Sequence, residues 1–102
     1  MVNNKQLILD IAMNLNRIGN WAADDYDKKQ RRILLFLDQT KEYIETLDQT
    51  TYPEKFIPTM NVFLPKFQSL LKEGTSHPAN LDVWAEEMMT WGNILTHRAS
   101  ML

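Results

Sequence analysis

The stretch Ile33-Leu34-Leu35-Phe36-Leu37-Asp38-Gln39-Thr40-Lys41-Glu42-Tyr43-Ile44-Glu45-Thr46-Leu47 decides the fold. Ile33, Leu37, Thr40, Ile44 and Leu47 follow one another in steps of four and three, the spacing that puts side chains on one face of an α-helix. Upstream, Tyr26 keeps the same phase, and Asp24, Asp25 and Asp27 stand where a helix N-terminus favours negative charge. This segment spans roughly residues 25 to 48. Further back, Leu7, Ile11, Leu15, Ile18 and Ala22 share a face of a segment over roughly residues 4 to 22. Gly19-Asn20 and Asp24-Asp25 supply material for ending or bending it. The apolar phase nevertheless runs on through Ile18, Ala22 and Tyr26, so one long bent helix is the alternative to two.

Downstream, Asp48-Gln49-Thr50-Thr51-Tyr52-Pro53 reads as a turn, and Pro58 can open a helix where its missing N–H is harmless. Met60, Phe63, Leu64, Phe67, Leu70 and Leu71 form its apolar face, with Gly74 as the expected C′ residue. Pro65 either falls in the first turn of a helix that starts near Asn61 or kinks one that starts at Pro58. After a loop from Gly74 to Ala79, Asn80 is a suitable N-cap for a last helix over roughly Leu81 to Ser100. There Leu81, Trp84, Met88, Trp91, Leu95 and Leu102 form a stripe beside the seven-spaced small residues Ala85, Gly92 and Ala99. A mid-helix glycine costs about 1 kcal/mol relative to alanine, so Gly92 points to close helix packing. The tryptophans Trp84 and Trp91 read as core. The expectation is an all-α single domain over residues 1–102, an up-down antiparallel bundle of about four helices.

The composition excludes more than it selects. With 102 residues, 44% of them hydrophobic and 24% charged, the chain matches one globular domain that can bury a core without a staple. Cysteine is absent, which removes thiolate chemistry, disulfides and Cys-ligated metals. The net charge of −2 gives no long-range pull toward phosphate backbones or anionic membranes. Asp10 interrupts Leu7-Ile8-Leu9 at once, against a secretion leader, and the longest apolar run, Ile33 to Leu37, is far short of a membrane span. The expected location is the cytoplasm.

Catalytic groups are dispersed. His77 and His97 belong to no pair, and Met89 and Thr90 stand where a Glu-x-x-His iron motif starting at Glu86 or Glu87 would need histidine. Glu42 and Glu45 lie on a polar face, and so does Glu86. The glycines at 19, 74 and 92 are isolated, so no phosphate loop exists. No cofactor, metal or small-molecule substrate is expected, and an enzyme is not; were there one, Glu86, Glu87 and His97 would be its candidates.

Two patterns carry a binding reading. Leu9 and Met13 miss the first stripe, Leu35 lies among Arg31, Arg32, Gln39 and Glu42, and Val83, Ile94 and Met101 lie behind the tryptophan face. These six residues are the candidate contact surface of a non-enzymatic module, regulatory in kind, that binds another protein or a second copy of itself. The rival is a nucleic-acid-associated regulator using Lys28, Lys29, Arg31 and Arg32. Against it, Asp24, Asp25 and Asp27 stand four residues before Lys28, Lys29 and Arg31, the spacing of helix-stabilising ion pairs.

The closing segment Trp91-Gly92-Asn93-Ile94-Leu95-Thr96-His97-Arg98-Ala99, the Ile33-to-Leu47 helix and the Phe56-Ile57-Pro58-Thr59 turn together resemble small uncharacterised all-helical proteins of cyanobacteria. The resemblance implies a cytoplasmic bacterial protein and transfers neither an activity nor a functional residue.

Overall fold

The first helix begins where Asn3 accepts a hydrogen bond from the Gln6 backbone N–H, 3.0 Å away, satisfying a donor that has no partner within the helix. The computed structural model describes residues 2–102. Its α-helices are α1 (Asn4–Thr46), α2 (Ile57–Thr75) and α3 (Leu81–Arg98), with 3-10 turns at Gln49–Thr51 and Ala99–Met101. The described residues contain no strand, as the three- and four-step spacing requires. There are three helices where about four are expected, because the first two segments join into α1.

A straight helix of 43 residues would reach about 65 Å, yet the longest dimension of the molecule is 39 Å. The chain doubles back at Asp25, whose backbone leaves the helical region for extended values (φ −162°, ψ 91°). The Asp25 carboxylate then accepts from the Lys28 N–H at 3.1 Å and caps the second arm as an N-cap residue does. The two arms, residues 4–24 and 26–46, run antiparallel. Asn4 bonds the backbone of Asp48 in both directions, at 2.9 and 3.0 Å. Asn14 donates to Gln39 at 2.9 Å, and the Trp21 and Phe36 rings lie 5.0 Å apart edge-to-face.

Gly19-Asn20, expected to help end or bend the first segment, does neither. Gly19 stays helical and buried. A Cβ there would stand 2.5 Å from Met89 Cγ and 2.8 Å from the Ala85 carbonyl oxygen, so the glycine lets the α3 backbone come close. Gly92 faces Asn16 in the same seam, with room for a Cβ only 2.7 Å from the Asn16 amide. α1 and α3 accordingly share the most extensive helix contact of the molecule.

α2 starts early, so Pro65 lies inside it. Both Pro65 and Asn61, whose carbonyl loses its intrahelical partner, are exposed, and water can serve that carbonyl. Gly74 is not the left-handed residue after the helix. It is the buried penultimate residue of α2, where a Cβ would meet Leu37 Cδ1 and Trp84 Cζ2 at 2.8 Å, and its carbonyl accepts the Tyr26 hydroxyl at 2.7 Å. The positive φ of this loop falls instead on His77 (φ 68°). Asn80 caps α3 through Val83 N–H at 3.2 Å. α3 runs antiparallel to α2, with Trp84 Nε1 donating to the Leu70 carbonyl at 3.0 Å and Phe63 and Trp91 rings 5.4 Å apart.

The core collects Ile8, Ile11, Leu15 and Ile18 from the first arm, Ile33 and Leu37 from the second, Phe63, Phe67 and Leu70 from α2, and Trp84, Met88 and Leu95 from α3. Each such burial is worth about 1.5–3 kcal/mol. No helix among the described residues is long and apolar enough to cross a membrane.

Candidate functional site

The basic run occupies the first turns of the second arm of α1, directly after the Asp25 break. The break takes Asp24 off the helix that carries Lys28, and none of the three expected four-apart ion pairs forms. Asp24 pairs with Lys29 instead, Asp25 spends its carboxylate on the cap, and Asp27 accepts from His77 Nε2 at 3.2 Å. The hydrogen bond and charge of Lys29 hold the Asp24 carboxyl below the usual carboxylate range, with Lys28 adding to the effect. Among the described residues, Lys28, Arg31 and Arg32 have no carboxylate partner. The Arg32 guanidinium lies over the Trp21 ring at 5.1 Å, a cation–π contact.

These cations rim a surface groove of about 530 Å³ lined by Trp21, Lys28, Lys29, Arg31, Arg32, Leu35 and Phe36. Leu35 stands three, four and seven residues after Arg32, Arg31 and Lys28, which puts all four on one helix face. Its side chain is 64% exposed. The first arm contributes Trp21 from across the hairpin, and the Arg17 guanidinium lies 6.0 Å from the centre of the Phe36 ring. No carboxylate, hydroxyl or imidazole lines the groove. It can hold an apolar group and compensate anionic charge around it.

Of the six residues expected at a contact surface, Leu35 lies in this groove together with all four residues of the basic run. Met13 is exposed on the first arm and Leu9 is half-buried against the core. Val83 and Met101 are exposed on and just beyond α3, where Ile94 is half-buried. None of these five lines the groove. Glu87 pairs with Lys66 of α2 at 3.3 Å, while Glu86 and His97 are exposed. The described residues contain no cluster of three or more His, Asp or Glu able to hold a metal.

Sequence reasoning missed Trp21 and Phe36. Both stand off the core stripes of their own segments, which was a visible signal, but their meeting depends on where the chain turns back. Comparison with protein-family models, curated proteins and solved structures gives no match.

Proposed function

We propose that this chain is a non-enzymatic helical interaction module of the cytoplasm, an up-down bundle of four antiparallel helical segments that engages another protein at the Leu35 groove. The observation that carries this reading is the 64% exposure of Leu35 inside a groove walled by Trp21 and Phe36 and lined by no carboxylate, hydroxyl or imidazole. A monomer gains nothing from an open leucine beside two aromatic rings, and covering its remaining exposed surface contributes about 1–2 kcal/mol to association. A photo-crosslinking side chain at position 35, introduced in the source cells, should give one discrete adduct, and the same group at exposed Glu45 none. The isolated pair should then form a stoichiometric complex that Leu35→Asp weakens about tenfold or more. A chain that yields no adduct at position 35 and stays monomeric at all concentrations overturns the reading.

Nucleic-acid association is the second reading, favoured by the three cations left without carboxylate partners. It requires salt-dependent retention on DNA that disappears when Lys28, Lys29, Arg31 and Arg32 are reversed in charge. Flat binding curves at low salt would remove it.

A further inference from the structure

We infer that the segment this groove accepts is acidic and amphipathic: one or two turns of a partner helix whose aliphatic side chain meets Leu35, Trp21 and Phe36 while its carboxylates meet Lys28, Arg31 and Arg32. The inference deepens the protein-binding reading and rests on it. Charge complementarity is the first argument. The molecule as a whole is slightly acidic, with a net charge of −2, yet three of the four cations lining the groove carry no carboxylate partner among the described residues, Lys29 alone being paired with Asp24, and two of the three are arginines suited to bidentate carboxylate contacts.

Dimensions supply the second argument. Lys28 to Arg32 rises about 6 Å along the helix, close to the 5.4 Å pitch that separates carboxylates one turn apart on a partner helix. Over the same length a DNA strand presents about two phosphates, no more anions than the helix offers, and it would leave Leu35 in water. Base stacking is opposed as well, because Arg32 lies over the Trp21 ring and Phe36 meets that ring edge-to-face. A carboxylate-bearing helix uses both the rim and the floor; a polynucleotide uses the rim alone.

The test uses the full chain and a fluorescein-labelled helical peptide of about 16 residues with leucines and glutamates on one face, long enough to be partly helical. Controls replace every Glu by Lys, or supply a 20-bp duplex DNA. Expected is saturable binding of the acidic peptide that is about tenfold weaker for the Lys peptide and about tenfold weaker for the Lys28→Glu/Arg31→Glu/Arg32→Glu variant. A several-fold loss between low and physiological salt is also expected. Those positions are exposed, and a matching thermal melt confirms that the variant folds. Equal binding of the two peptides, indifference to charge reversal, or tighter binding of the duplex than of the acidic peptide overturns the inference. So does a dimer that charge reversal dissolves, which would make a second copy the occupant. The two readings fail separately: an adduct at position 35 mapping to a basic or neutral segment ends this inference and leaves the interaction module standing. Absence of any adduct, with a strictly monomeric chain, ends the module itself.

Discussion

Tyr26 is the residue at which three segments meet. Its ring packs 4.7 Å from His77 and 6.1 Å from Trp84, and its hydroxyl donates to the Gly74 carbonyl at the end of α2. Tyr26→Phe removes the donor and leaves a buried carbonyl unsatisfied, so urea unfolding should report a loss of about 1–3 kcal/mol. Burial pushes the Tyr26 phenol above its ordinary 10.0, and burial does the same to Tyr52. A raised phenol means that the folded state holds its proton longer than the unfolded chain. Its contribution to stability is therefore complete below about pH 10 and falls as pH rises through the folded-state value. Urea midpoints measured from pH 9 to 11.5 should decline, and Tyr26→Phe should lose part of that decline. Glycine positions separate by what a methyl would strike. Gly19→Ala drives Cβ into the Ala85 backbone carbonyl and should cost about 1–3 kcal/mol. Gly92→Ala meets only the Asn16 side chain, so the loss should be smaller, and the double variant with Asn16→Ala should recover helix propensity of up to about 1 kcal/mol. Double-mutant analysis of urea curves checks the sign of that coupling.

At the scale of elements, the informative one is α1. Its apolar phase through Ile18, Ala22 and Tyr26 read as two helices with a single bent helix as the alternative, and the structure joins the two segments into one helix broken at Asp25. The turn sits at Asp25 because a carboxylate there caps the Lys28 N–H, while Gly19, the more obvious helix breaker, is held helical by α3 packed against it. Asp25→Ala should lower stability by about 0.5–2 kcal/mol, and Asp25→Asn by much less, since asparagine caps nearly as well; thermal and urea melts of the pair decide. Gly74 makes the same point in α2. Its composition matched a helix stop, but what fixed it there is the close approach of Leu37 and Trp84.

At the scale of the whole molecule, stability and recognition reside on different surfaces. Phe67 is 1% exposed, and Phe67→Ala should cost about 3–5 kcal/mol. Leu35→Asp changes a residue that protrudes into solvent and should leave the unfolding midpoint within about 0.5 kcal/mol of the parent. If Leu35→Asp instead unfolds the chain, the groove is part of the core and the binding site proposed here fails.

The amino-acid order alone determined that this chain is helical, most of the residues that face inward (though Ile8 rather than Leu7 is fully buried in the first arm), and where Asn80 begins the last helix, because side-chain spacing and caps act over a single turn. It also placed Leu35 among cations, since those residues share one short helix face. Only the tertiary structure decided which aspartates would be consumed by a cap, by Lys29 and by His77, and that Trp21 would arrive beside Leu35 and Phe36. Those outcomes depend on the direction the chain takes after Asp25 and on the packing of α3 against Gly19 and Gly74, and long-range register of that kind is set by the fit of whole surfaces rather than by any local pattern.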